Sequence, residues 1–119
     1  MYYEKSKLVR SKLEDRFLQD CITVGLIVNP DYKIGPIHAD FAIPDRKIAI
    51  EVDSKQYHSS DSTRKEDEKR NKIYRGYGWK IIRISGNVVM RKGEDIAWEI
   101  KRGNYDDYPE TQPSVAPST

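Results

Sequence analysis

The stretch HADFAIPDRKIAIEVD, residues 38–53, decides the fold. Two short apolar runs, 38–43 and 47–53, flank the pair Pro44-Asp45, which is typical of a tight turn. In the second run every other residue is aliphatic, and this alternation predicts a strand with one buried face. The stretch therefore predicts a β-hairpin.

The remaining elements follow from the spacing of apolar residues along the chain. We predict a helix over 4–21, a strand over 22–28, a helix over 63–75, a strand over 79–85 and a helix over 94–102. This order predicts an α/β domain over residues 1–102, with a mixed sheet flanked by helices and both tryptophans in its core. Residues 103–119 contain three prolines and are predicted to be a flexible linker or disordered tail.

Composition narrows the functional classes. The 119 residues include 21 basic and 19 acidic side chains, a formal net charge of +2, so a polyanion would have to be bound by charge gathered on one face. The single cysteine excludes a disulfide framework and a cysteine-based zinc cluster. No apolar stretch has the length of a membrane span, and no signal peptide precedes the helix, so a soluble, cytoplasmic protein is expected.

Carboxylates gather at one end of the predicted hairpin. Glu51 and Asp53 lie two apart on a strand and share a face, and Asp40 lies on the neighbouring strand. Such carboxylates repel one another unless a cation neutralises them, and oxygen ligands without cysteine favour Mg²⁺ or Mn²⁺ over zinc. The alternative is that Glu51 and Asp53 only mark a solvated strand end.

A histidine and a charged helix follow these carboxylates. His58 could accept a proton from water beside a metal-bound phosphate, and Asp67 could orient it, although a lone exposed histidine usually has no function. The helix carries Arg64, Lys65, Lys69 and Arg70. These side chains could contact phosphates, or they could form an ordinary solvated face with i,i+4 pairs.

The runs DFAIPDRKIAIEVDSKQYH and RKEDEKRNKIYRGYGWKIIRI resemble the very-short-patch repair endonucleases of the PD-(D/E)XK superfamily. They are most similar to the nuclease domain of phage homing endonucleases of the EDxHD type, over about residues 8–90. The resemblance implies a restriction-endonuclease-like fold and Mg²⁺-dependent hydrolysis of DNA, with Mn²⁺ as a substitute. By position it makes Asp40 the metal-binding aspartate, His58 the general base and Asp67 the carboxylate that orients this base. Glu14 resembles the first acidic residue, and Val52 takes the variable position that offers its carbonyl to the metal.

The chain departs from these families in two ways. The sequence Glu51-Val52-Asp53 lacks the lysine of the superfamily, which leaves Glu51 and Asp53 as secondary metal ligands. One cysteine and two histidines cannot build the structural zinc site of the repair enzymes, which favours homing over mismatch repair.

The resemblance to DNA endonucleases makes double-stranded DNA the expected partner. A domain of this size offers few base-reading residues, so long-site specificity would require a homodimer or a tethered DNA-binding module. Two alternatives remain open besides another nuclease role on the same fold. They are a DNA-binding module without catalysis and a small interaction protein with a charged surface helix.

Overall fold

A computed structural model describes residues 12–53 and 61–109, and for residues 61–63 it describes the backbone alone. The elements are α1 (Lys12–Val24), β1 (Asn29–Ile34), β2 (Ile37–Ile43), a 3₁₀ turn (Pro44–Arg46), β3 (Ile48–Asp53), α2 (Asp61–Gly76), β4 (Lys80–Ser85) and α3 (Gly86–Lys101). None of the helices in these two ranges is long and apolar enough to cross a membrane.

The four strands form one mixed sheet in the order β1-β2-β3-β4. Strands β1, β2 and β3 are antiparallel neighbours. Strand β4 runs parallel to β3, because α2 carries the chain back to the end of the sheet at which β3 starts. The predicted hairpin is confirmed, with Phe41 paired to Ile50 and Ile43 to Ile48. Lys47 adopts a left-handed conformation (φ 55°) where the 3₁₀ turn enters β3. The mixed α/β sheet predicted from the sequence is therefore confirmed.

Helices cover both faces of the sheet. The larger core lies between the sheet and helices α1 and α3, and it includes Phe17, Phe41, Ile50 and Ile96. The smaller core lies under α2 and centres on Tyr74, with Trp79 packed against it as predicted. Trp98 was also expected in the core, but its side chain is 45% exposed and lies under the Lys101 ammonium, so that prediction is wrong.

The strand predicted over residues 22–28 is also wrong. Helix α1 continues to Val24 and ends in a Schellman motif, in which the Leu26 N–H bonds the Cys21 carbonyl (2.8 Å) and the Gly25 N–H bonds the Ile22 carbonyl (3.1 Å). Gly25 has a φ of 80°, the left-handed conformation that this motif requires. The first strand starts later, at Asn29, and its proline is tolerated because β1 is an edge strand.

Two further boundaries differ at the C-terminal end. Helix α3 begins at Gly86, capped by Ser85, whereas the sequence predicted its start at residue 94. A kink at Lys92 separates the half that was missed from the half that was predicted.

The chain beyond Gly103 was predicted to be unpacked, and this is wrong for its first residues. Tyr105 and Tyr108 pack against the larger core, and Tyr108 forms a parallel bridge with Ile84 at the open edge of β4. The apolar rings of the two tyrosines explain this docking. The segment was assigned to the tail because of its prolines, and this assignment overlooked the two rings. Residues 110–119 lie outside the described part of the chain.

Candidate active site

Asp40 lies where strand β2 changes its face. Ala39 packs in the smaller core and Phe41 in the larger one, although two residues apart on a regular strand share a face. The segment of β1 that lies opposite Asp40 is also irregular, because it contains Asp31, whose φ is 53°. Beyond the Phe41–Ile50 pair, the Val52 N–H donates to the Asp40 carboxylate (Oδ2, 2.8 Å). The irregular strand thus directs a carboxylate onto the backbone of β3.

Two carboxyl groups meet at this point. The side chain of Glu14, on α1, shares a hydrogen bond with Asp40, so one of the two must carry a proton in the absence of a cation. Burial and, after it, the negative charges of Glu14 and Glu51 raise the pKa of Asp40 to about 8, while the Val52 N–H opposes the shift. A divalent cation bound here would relieve the repulsion between these carboxylates.

This raised pKa predicts how stability depends on pH. The unfolded chain releases the Asp40 proton near pH 4 and the folded chain near pH 8, so between these values the folded state binds more protons and its stability falls as pH rises. The substitution Asp40→Asn removes this loss of stability with rising pH, because asparagine does not titrate. In thermal melts with EDTA between pH 5 and 8.5, we expect the wild-type Tm to fall by several °C more than that of Asp40→Asn. The control Asp45→Asn, at an exposed turn position, should keep the wild-type slope, and equal slopes for all three proteins would contradict the assignment.

A second polar group lies on the face of the sheet under α2, and we call it the Glu51 cluster. Its members are Glu51, Arg70, Asn71, Tyr74 and Arg83. The Glu51 carboxylate is 12% exposed; one oxygen accepts from Arg70 and Tyr74, and the other from Arg83 (Nη1, 3.0 Å). Burial and the adjacent Glu51 charge raise the pKa of Tyr74, so it remains a phenol that donates its proton. Glu51 would have to leave these partners to reach a cation.

Asp67 and Asp53 lie at the margin of this cluster. The Asp67 carboxylate, in the first half of α2, is 42% exposed and lies 3.5 Å from Arg83 Nη1. Asp53 ends strand β3 and is exposed. His58, the predicted base, lies outside the described residues.

The basic side chains of α2 divide into two groups. Arg64, Lys65 and Lys69 are exposed, as phosphate contacts must be. Arg70 instead turns towards the sheet, where it donates to Glu51, to the His38 carbonyl (3.0 Å) and to Tyr74. Burial lowers the pKa of Arg70, but the hydrogen bonds and negative charge of Glu51 and Tyr74 together outweigh this effect and raise the pKa.

The structure brings together Glu14, Asp40 and the Val52 N–H, and Glu51 precedes Val52 on the same strand. Sequence reasoning missed Arg83, Tyr74 and Asn71. Arg83 could have been singled out, because it is a charged residue between the buried Ile82 and Ile84 in an otherwise apolar strand. A charge in such a strand requires a partner across the sheet.

The side chains around Asp40 offer oxygen ligands for a divalent cation, although those that the structure describes do not form a complete metal site. Within residues 12–53 and 61–109, no three histidine, cysteine or acidic side chains are already arranged around one point as metal ligands. Asp40 and Glu14 nevertheless fit Mg²⁺, since both offer hard oxygen ligands and their mutual repulsion is relieved by a cation. The remaining positions on such an ion are commonly filled by water, main-chain carbonyls and substrate phosphates.

Comparisons with known proteins agree with this geometry. The family model REase_MTES_1575, of restriction-endonuclease-like proteins, matches residues 13–103. Among solved structures, the catalytic domain of the homing endonuclease I-Bth0305I superposes with a TM-score of 0.60 over 77% of this chain and 92% of that domain, at 14% sequence identity. At this identity the likeness concerns the fold. No curated protein matches the chain significantly.

Proposed function

Because this chain belongs to the REase_MTES_1575 family of restriction-endonuclease-like proteins, we propose that it is a metal-dependent DNA endonuclease. The observation that carries this proposal is the Asp40 carboxyl group, half-buried at the irregular centre of β2 and hydrogen-bonded to Glu14 and to the Val52 N–H. A carboxyl pair of this kind has a high cost in the apo protein, and binding a cation removes that cost. The likeness to a homing endonuclease catalytic domain supports the same reaction class.

We place the cation at Asp40 and Glu14, with the Val52 carbonyl as a main-chain ligand. When bound, Mg²⁺ supplies positive charge to a phosphodiester and lowers the pKa of water, and Mn²⁺ can replace it. The sequence suggested Glu51 and Asp53 as secondary ligands. Since both Glu51 oxygens already accept hydrogen bonds from arginines, we revise its role to a member of the Glu51 cluster, and Asp53 remains the secondary candidate.

Proton transfer is assigned to the segment that follows β3. His58 accepts the proton of the attacking water, and Asp67 holds the imidazolium that forms. The partly exposed carboxylate of Asp67 supports this assignment, because it lies in the first half of α2, the helix that follows the segment containing His58 in the chain. Cleavage then leaves a 5′-phosphate and a 3′-hydroxyl end, as in the enzymes that the sequence resembles.

Double-stranded DNA is bound along the exposed side of α2. Arg64, Lys65 and Lys69 contact the phosphate backbone there, and this gives affinity without sequence recognition. One short basic helix buries little DNA, so a homodimer or an attached DNA-binding module provides the target specificity. We favour the catalytic domain of a homing endonuclease over mismatch repair, since the chain has one cysteine and two histidines and cannot form the zinc site of the repair enzymes.

The experiment that tests this function is cleavage of end-labelled duplex DNA in Mg²⁺, Mn²⁺, Ca²⁺ or EDTA. We expect cleavage in Mg²⁺ and Mn²⁺, none in EDTA, and products that ligase rejoins because they carry 5′-phosphate and 3′-hydroxyl ends. DNA retention at low salt without cleavage in any metal would instead indicate a DNA-binding module that has lost catalysis. Neither retention nor cleavage would indicate a protein-interaction domain.

A further inference from the structure

The Glu51 cluster contains a charged residue that the proposed reaction has not used. Arg83 extends from the centre of β4 and donates through Nη1 to Glu51 (3.0 Å) and through Nη2 to Asn71 (2.9 Å). The same Nη1 lies 3.5 Å from Asp67. One guanidinium thus joins two strands of the sheet to helix α2.

We propose that Arg83 is a positioning residue for the cation site: it holds Glu51 away from Asp40 and so limits the affinity of the DNA-free chain for a divalent cation. This inference rests on the proposed function, because it specifies which carboxylates hold the cation.

The register of the sheet makes Glu51 the natural competitor for the site. Phe41 pairs with Ile50, so Asp40 and Glu51 occupy the next positions on adjacent strands. The Asp40 carboxylate accepts from the N–H of Val52, the residue that follows Glu51 (2.8 Å). The Glu51 charge also contributes to the raised pKa of Asp40. A free Glu51 carboxylate would therefore provide a further oxygen ligand close to Asp40.

Arginine pairing prevents this arrangement. Arg70 and Arg83 bind opposite oxygens of Glu51, and charge-assisted pairs in a partly buried position are stronger than neutral hydrogen bonds. Moving Glu51 to the cation would leave two guanidinium groups, 32% and 24% exposed, without their carboxylate. The desolvation cost of such groups opposes the movement.

The backbone of Arg83 is fixed from its other side. Its N–H donates to the Asp107 carboxylate (3.0 Å), and its carbonyl accepts from the Tyr108 N–H (2.9 Å). The segment after Gly103 thereby braces the strand residue whose side chain reaches Glu51. A lysine at position 83 would retain the charge but not the two-pronged contact with Glu51 and Asn71.

Removing the Arg83 charge is expected to strengthen cation binding, whereas ordinary damage to a metal site weakens it. In Arg83→Gln, Glu51 keeps only one guanidinium, so the negative potential at Asp40 increases and a cation binds more tightly. We expect the dissociation constant for Mn²⁺ to fall about tenfold, while cleavage slows because Asp67 loses its anchor. A residue that only supports packing would weaken cation binding or leave it unchanged.

The test is calorimetric titration of Mn²⁺ into the DNA-free protein, with cleavage rates measured in parallel. The variants are Arg83→Gln, Arg83→Lys and the double variant Glu51→Gln/Arg83→Gln. Arg102→Gln is the matched control, since Arg102 forms an exposed pair with Glu99 on the far end of α3. We expect one Mn²⁺ per wild-type chain, tighter binding in Arg83→Gln, and wild-type affinity within about twofold in Arg83→Lys, in the double variant and in the control.

Each outcome decides the proposal. Unchanged or weaker Mn²⁺ binding by folded Arg83→Gln would overturn it. If this variant does not fold, the double variant decides, because it removes both charges of the pair; a tenfold loss of affinity there would show that Glu51 is a cation ligand. If the wild type binds no Mn²⁺, or Asp40→Asn binds it equally well, the proposed function fails independently of Arg83.

Discussion

Asp40→Asn is expected to abolish DNA cleavage, with a loss of at least about 10³-fold in the single-turnover rate. The asparagine preserves the shape of the side chain and can still accept from the Val52 N–H through its amide oxygen. It removes the negative charge that a divalent cation requires, and with it the charge stabilisation that the cation gives to the phosphodiester. That stabilisation amounts to several kcal/mol in metal-dependent hydrolysis.

The fold should survive this substitution. Since the pKa of Asp40 is raised to about 8, its charged form lowers the stability of the apo protein. Asp40→Asn should therefore melt at the same temperature as the wild type or slightly higher at pH 8. Asp45→Asn is the matched control for cleavage, because Asp45 is exposed in the 3₁₀ turn and should cut at the wild-type rate. Cleavage by Asp40→Asn at the wild-type rate would show that Asp40 is not a ligand.

His58→Ala is expected to reduce the cleavage rate by about 10²- to 10⁴-fold, the usual contribution of a general base. Affinity for DNA in Ca²⁺ should change little, because the imidazole acts on the attacking water and not on the phosphate backbone. The rate should be measured at saturating DNA over pH 5.5–9. The wild type should lose activity as His58 becomes protonated at low pH, and the variant should lose this limb of the profile.

The chain offers a matched control for this experiment in its only other histidine. His38 lies on β2 with its Nδ1 3.4 Å from Asp31, so His38→Ala removes an imidazole without removing the proposed base. Asp67→Ala should slow cleavage less than His58→Ala, since Asp67 only orients the base. A normal low-pH limb in His58→Ala, or a larger loss in His38→Ala, would assign the base elsewhere.

The hairpin could be predicted from the sequence because its information is local. Strict alternation in β3 and a Pro-Asp turn define two strands and their register, and register places Asp40 beside Glu51. For helix α1, in contrast, the end predicted from the sequence was too early. Its last turn consists of β-branched residues with strand propensity, and a capping motif at Gly25 outweighs that propensity through two backbone hydrogen bonds.

Long-range partners were beyond sequence reasoning. Nothing in the spacing of Arg83 relates it to Glu51, 32 residues earlier, or to Asp107 in the apparent tail. These contacts arise from the parallel crossover through α2 and from the docking of Tyr108 on the edge of β4. Consequently the carboxylates of the site could be predicted, but the division between those that face a cation and those held by arginine could not.

The central claim is that the Asp40 end of the sheet hydrolyses DNA with a divalent cation. Its most direct test is conversion of supercoiled plasmid to nicked or linear forms by the wild type and by Asp40→Asn, purified in parallel and assayed in Mg²⁺ with and without EDTA. We expect conversion by the wild type in Mg²⁺ without EDTA and none by the variant. Equal conversion by both proteins, or none by the wild type in either Mg²⁺ or Mn²⁺, would contradict it.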